Sequence, residues 1–263
     1  MRNDIWIGAD PELFLAKEGI PVSAHDLIPG SKKEPHPIGY GNSIQVDGLA
    51  VEFNTKPVII RQEFINCIKN SLTDLKAMLP GYEFTQESAI RFPKEYMRSL
   101  PEEVLSLGCS PDMNAYDYGF NPPPNSRSTL RTAAGHIHIG YNIYDFPEYL
   151  HNSSLLACIL TQKLDLYLGV PSIILDEKGS MRRRMYGKAG AYREKPYGLE
   201  YRVLSNFWVF EEKLISWVFS SIHKTINNIS EYHYHEDVQK AINRNDKELA
   251  RRIMKDENIE LPL

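Results

Sequence analysis

The chain has 263 residues, of which 42% are hydrophobic and 24% charged, with a formal net charge of −4. That length fits one core, because single domains run to roughly 250–300 residues before cores split. The mild acidic excess argues against a general nucleic-acid binder, which carries a basic surplus.

Residues 4–8 and 12–16 read as short strands on either side of Asp10-Pro11. Residues 44–46 and 49–54 read as two more, with Asp47-Gly48 as the two-residue turn of a hairpin. Residues 26–43 between them form a Gly/Pro-rich loop. Phe64, Ile68, Leu72, Leu75 and Leu79 repeat at helical spacing, predicting a helix over 61–79 that Pro80-Gly81 stops. A strand is expected at 83–88, a loop at 110–130 and an alternating strand at 135–141. Helices are expected at 148–168, ending at Gly169 and Pro171, and at 209–229, with a strand at 198–205 between them. The tail after 231 is charged and helical in character. The pattern is α+β, with one domain over 1–230 and a charged helical tail over 231–263.

Cys67, Cys109 and Cys158 lie far apart, with no CxxC pair. They read as reduced thiols of a cytosolic protein. Cys109, in Gly108-Cys109-Ser110, reads as a small buried hydrophobe and not as a nucleophile. No window approaches the roughly 20 apolar residues of a membrane span, and the first residues lack the apolar run of a signal peptide. The sequence therefore reads as soluble and cytoplasmic.

His136 and His138 lie two apart on a strand, so both project from one face. Alone, such a pair is as often two hydrogen-bonded surface histidines. Here Asp10 and Glu12, Asp47 and Glu52, and Glu200 and Arg202 recur on other expected strands among apolar neighbours. A carboxylate held among packed strands is costly unless paired or metal-bound. An oxygen-rich set with some nitrogen suits Mg²⁺ or Mn²⁺ better than a thiolate zinc centre. Arg182, Arg183, Arg184, Lys188, Arg193, Lys195 and Arg202, interleaved with glycine and tyrosine, form a basic run suited to phosphate oxygens. The same run also fits a solvated loop or a nucleic-acid surface. No Walker A, protein-kinase or GxGxxG pattern is present.

The segments GADPELFL, IPGSKKEP, VDGLAVEFNTKP, GCSPDMNAY, LRTAAGHIHIGY and YGKAGAYREKPYGLEYRVLSNFW, over residues 8–208, resemble carboxylate-amine ligases of the glutamine synthetase and glutamate-cysteine ligase superfamily. They are most similar to the phage-encoded COOH-NH2 ligase type 2 group. The tail beyond 230 carries no recognisable motif. The resemblance implies a glutamine-synthetase-like curved antiparallel sheet with helices on its convex side. It implies Asp10, Glu12, Glu52, His136 and Glu200 as ligands for Mg²⁺ or Mn²⁺. Arg131, His138, Arg184, Lys188 and Lys195 would bind ATP. Arg202 and Arg193 would neutralise the transition state, with Arg193 or Lys195 replacing the family arginine that is Gly198 here. Asp47 or Glu52 would accept the amine proton. The implied reaction joins a small-molecule or peptide carboxylate to an amine through an acyl phosphate, in a protein able to oligomerise. A metal-dependent amide hydrolase and a non-catalytic nucleotide-binding phage protein are the competing readings.

Overall fold

β1 (Trp6–Lys17) is one continuous strand, not the two short ones expected around Asp10-Pro11. It survives its proline by changing partners there. Up to Pro11 it pairs with β10 (Gly135–Gly140), and from Glu12 it pairs with β5 (Ala50–Asn54). Proline cannot donate to a ladder, so it is accommodated where the ladder is interrupted. The computed structural model describes residues 4–105, 111–122, 128–231 and 236–262. The Cys109 reading falls outside these residues.

The other strands, in chain order, are β2 (Ile20–Val22), β3 (His36–Pro37), β4 (Ser43–Asp47), β6 (Glu83–Thr85), β7 (Ala89–Arg91), β8 (Met113–Asn114), β9 (Leu130–Thr132), β11 (Ala191–Lys195) and β12 (Gly198–Tyr201). An antiparallel sheet runs β3-β4-β5-β1-β10-β12-β11-β8, with β2 and β6 extending the far end of β1. β7 and β9 form a separate pair. The hairpin turn between β4 and β5 is Gly48-Leu49, one residue later than expected, because Asp47 still pairs with Ala50. Gly48 takes the positive φ (56°) that the turn requires.

The helices are α1 (Arg61–Met78), α2 (Lys94–Arg98), α3 (Glu102–Leu105), α4 (Ser153–Leu164), α5 (Val170–Leu175), α6 (Ser180–Arg183), α7 (Glu212–Asn227), α8 (Glu236–Arg244) and α9 (Lys247–Asp256). Ile7, Leu13, Ile137, Ile139, Leu199 and Phe53 point from one sheet face into a core completed by Phe64 and Ile68 of α1, Leu160 of α4 and Val218 and Ile222 of α7. A smaller cluster on the opposite side joins Phe14 and Leu49 to Phe92, Met97 and Val104.

The expected helix over 148–168 differs at both ends. It starts at Ser153, where the Asn152 side chain accepts from the Leu155 amide (2.9 Å). It also continues past Gly169 and Pro171. A π-turn at Asp165–Gly169 carries it into α5, and Pro171 falls where the regular ladder is already broken. The whole run, Ser153–Leu175, is long and apolar enough to cross a membrane, contrary to the sequence reading. Since 72% of its most apolar window is buried, the fold itself uses that apolar surface. The tail helices α8 and α9 also join the main core through Val238, Ile242, Ala250 and Ile253.

Gly135 opens β10 where a Cβ would lie 2.4 Å from the Ser205 carbonyl oxygen and 2.5 Å from Trp208 Nε1. Backbone and a buried indole cannot both retreat, so Gly135→Ala is expected to cost about 2–3 kcal/mol, as overpacking does. Urea unfolding of the variant checks this value.

Candidate active site

Because side chains alternate along a strand, the face opposite the core collects the polar residues. Asp10 lies opposite His136, Glu12 opposite Glu52, Glu52 opposite Gln45, and His138 opposite Glu200. Two groups form on four adjacent strands and the β4 end. Asp10, His136 and Glu200 bring ligand atoms within 4.8 Å of one another, and so do Glu12, Asp47 and Glu52. Asp10 Oδ1 is buried without a hydrogen-bond partner. Buried carboxylates need countercharge. An oxygen-rich set with one imidazole and an orphaned buried oxygen fits a hard divalent cation such as Mg²⁺ or Mn²⁺.

The two groups differ in their electrostatics. Burial and the neighbouring Asp47 push the Glu12 carboxyl up to about 7, against a bond from the Ala134 amide (2.9 Å). Burial, Asp10 and Asp47 hold Glu52 well above the usual carboxylate range, although Gln45 donates to it at 2.6 Å. Lys32 reaches Asp47 at 2.8 Å. The other group sits among cations. Burial would raise Glu200, but Arg202 and Lys195 (2.7 Å) hold its carboxyl down at about 2. Arg202 also donates to Asp112 (2.7 Å) and to His136 Nδ1 (3.1 Å), and it touches Glu200. Burial, with Arg202 beside it, pulls His136 below its ordinary value, leaving a neutral imidazole fit to ligate. Burial would lower His138 as well, but Asp10 at 3.1 Å raises it overall. Tyr197 OH lies 2.5 Å from the other ring nitrogen of His138.

Two clefts flank these groups. One is narrow, with a cavity volume of about 60 Å³, and is lined by Glu12, Asp47, His136, Arg131, Arg182, Arg202, Asp112 and Tyr186, with Phe14, Leu49, Leu130 and Met185 as an apolar wall. The other is wider, with a cavity volume of about 800 Å³, and is lined by Trp6, Gly8, Asn54, His138, Gly140, Tyr141 and Tyr197. Gly8 and Gly140 supply no side chain to the sheet face there, which leaves room beside the aromatic rings.

The fold thus gathers Asp10, Glu12, Asp47, Glu52, His136, His138, Arg193, Lys195, Glu200 and Arg202. Arg193 lies 3.5 Å from Asp112. Arg131 lines the smaller cleft, but its guanidinium donates to the carbonyls of Ser128, Leu130 and Leu105. Arg184 and Lys188 line neither cleft, and Arg184 is exposed. Of Arg182, Arg183 and Arg184, the one that enters a cleft is Arg182, buried and held by the carbonyls of Val203 (2.8 Å) and Arg202 (3.3 Å). Arg182–Arg184 is a run of three, and only the turn at α6 decides which points inward. Asp112, Gln45, Tyr197 and Trp6 were not selected from the sequence. Asp112 sits inside the GCSPDMNAY segment, and Gln45 lies two before Asp47 on one strand; both signals were present.

The fold and site define a mixed α/β protein whose antiparallel sheet presents acid and imidazole clusters between two clefts. Residues 125–261, just over half of the chain, match the family described as phage phiEco32-like COOH.NH2 ligase-type 2, and the chain belongs to this family. It is thereby a member of a carboxylate-amine ligase family. The match includes His136, His138, Glu200, Arg202 and the tail helices α8 and α9, so the tail is not the motif-free extension read from sequence. Asp10, Glu12, Asp47 and Glu52 lie outside the matched segment. A comparison with curated proteins gives no match. Among solved structures, a bifunctional glutathione synthetase from Pasteurella multocida is similar at 12% identity and a TM-score of 0.49, over 97% of this chain and 49% of that one. The chain spans about half the length of that protein.

Proposed function

We propose that the protein is an ATP-dependent carboxylate-amine ligase with a glutamine-synthetase-like sheet, working through an acyl phosphate. The observation that carries this reading is the pair of acid clusters held between an aromatic cleft and an arginine-lined one. The aromatic cleft at Trp6, Tyr141 and Tyr197 suits a nucleoside, whose flat base gains from ring contact. Its phosphates would extend over His138 and Lys195. The acid substrate would occupy the cleft lined by Arg182 and Arg202, with an amine entering beside Asp47 and Glu52. The two acid clusters would hold Mg²⁺ or Mn²⁺, which when bound neutralises phosphate oxygens as a Lewis acid.

In this reading a carboxylate oxygen of the acid attacks the γ-phosphorus and ADP leaves. Arg202 is held rigid by Asp112 and Glu200, and it takes up charge developing between the clefts without reorganising. Amine nitrogen then attacks the acyl carbon, the C–O bond to phosphate breaks, and phosphate leaves. The proton lost from nitrogen passes to Asp47 or Glu52. Incubation with ATP, Mg²⁺ and panels of acids and amines is expected to yield ADP together with a product whose mass equals acid plus amine less water. Amide cleavage without any nucleotide requirement would instead establish the hydrolase reading.

A further inference from the structure

One wall of the arginine-lined cleft has little structure of its own. α6 has four residues, and the chain then runs as a loop to β11. This segment nevertheless carries Arg182, Met185 and Tyr186 into the cleft. Both ends of the loop are tied to the last turn of α8 and the residue that follows it. Asn245 Oδ1 accepts from Arg183 Nη1 at 2.7 Å, and Asn243 Oδ1 accepts from the Ala189 amide at 2.9 Å. The other terminal nitrogen of Arg183 donates to the Ser172 carbonyl and hydroxyl (both 3.1 Å) and lies 3.5 Å from Asp176. Asn245 sits just past the end of α8 with φ +53°, a left-handed position that asparagine tolerates better than most residues.

We propose that Asn243 and Asn245 are positioning residues for the cleft wall: two hydrogen-bond acceptors that do not themselves line the cleft, they clamp residues 183–189 and thereby fix Arg182, Met185 and Tyr186 for the acid substrate. Its kinetic consequence rests on the ligase reading; the clamp itself does not. Only an acceptor is needed at either position, so aspartate should serve where alanine or glycine fails. Glycine is the proper deletion at 245, since alanine would add strain at positive φ.

The test uses the full chain with Asn243→Ala and Asn245→Gly, each beside its aspartate counterpart. Amide hydrogen exchange at 184–189 is expected to rise about tenfold in the deletions, the factor that losing one net hydrogen bond corresponds to, and to return to the wild-type rate with aspartate. The KM for the acid should rise by a similar factor while the KM for ATP stays constant. Unchanged exchange, failure of aspartate to rescue, or equal rises in both KM values would overturn the proposal. If exchange responds as expected and no acid or amine gives ATP-dependent product with the wild-type protein, the ligase reading falls and the clamp stands.

Discussion

Arg202→Met is expected to destabilise the protein by about 3–5 kcal/mol, the range for breaking a buried ion pair by removing one partner. Arg202 ties together groups from several parts of the site electrically. It is buried, and it contacts Glu200, Asp112 and His136 at once. Arg202 leads the charges that hold Glu200 down at about 2 against its burial, so the variant leaves that carboxylate buried without its main countercharge. Lys195 would remain as its partner, but Asp112 would keep only Arg193, at 3.5 Å. Ligation should fall by about 10³-fold or more, as when a preorganised charge-stabilising donor is removed. Urea unfolding gives the first number and ADP release the second. A stability loss under about 1 kcal/mol would show that the acids are neutral or already compensated.

The second large effect is a pH-dependent stability that divalent metal suppresses. Glu12 rises from 4.5 to about 7 on folding. Between those values the folded protein keeps a proton that the unfolded chain has lost, so stability is complete below pH 4.5 and declines as pH rises through 7. The shift corresponds to at most about 3 kcal/mol, less what solvent at the cleft mouth screens. Glu52 acts in the same direction. So does Asp165, raised from 3.8 to about 7 by burial despite bonds from Tyr201 and Gly190. Asp165 lies in the π-turn, away from both acid clusters, so metal should restore only the share belonging to Glu12 and Glu52. His136, held below its ordinary value of 6.5, acts in the opposite direction up to that pH, so in chelator Tm should drop between pH 6.5 and pH 8, and Mn²⁺ should raise it far more at pH 8. A flat or rising Tm, or an equal metal effect at both pH values, would contradict the assignment of these carboxylates to a cation site.

Much of the sheet was legible because alternation is a local signal. Ile137 and Ile139 against His136 and His138, and Val51 and Phe53 against Glu52, declare their faces in the sequence itself. α1 was legible for the same reason at helical spacing. What failed was decided at a distance. β1 runs through Pro11 because two different strands flank that residue, and no local pattern encodes a change of partner. The helix from Ser153 runs through Gly169 and Pro171 because a π-turn absorbs the break and Ile242 packs where a Cβ at Gly169 would lie. The basic run 182–202 looked like a phosphate-binding loop, yet it contains the hairpin of β11 and β12. Arg182 turns inward while Arg184 faces solvent, a choice made by tertiary packing. The site's acids were found because they recur at strand spacing. Asp112 was missed because its importance lies wholly in meeting Arg202 across ninety positions.

The central claim is that a carboxylate oxygen is transferred to phosphate in the cleft between Glu12, Glu52, His136 and Glu200. The direct measurement uses an acid labelled with ¹⁸O in its carboxylate, together with ATP, Mg²⁺ and the amine. Mass spectrometry of the released phosphate is expected to find one ¹⁸O atom per amide formed, and none with His136→Ala. Amide formed with unlabelled phosphate, or product formed without ATP, would contradict the account.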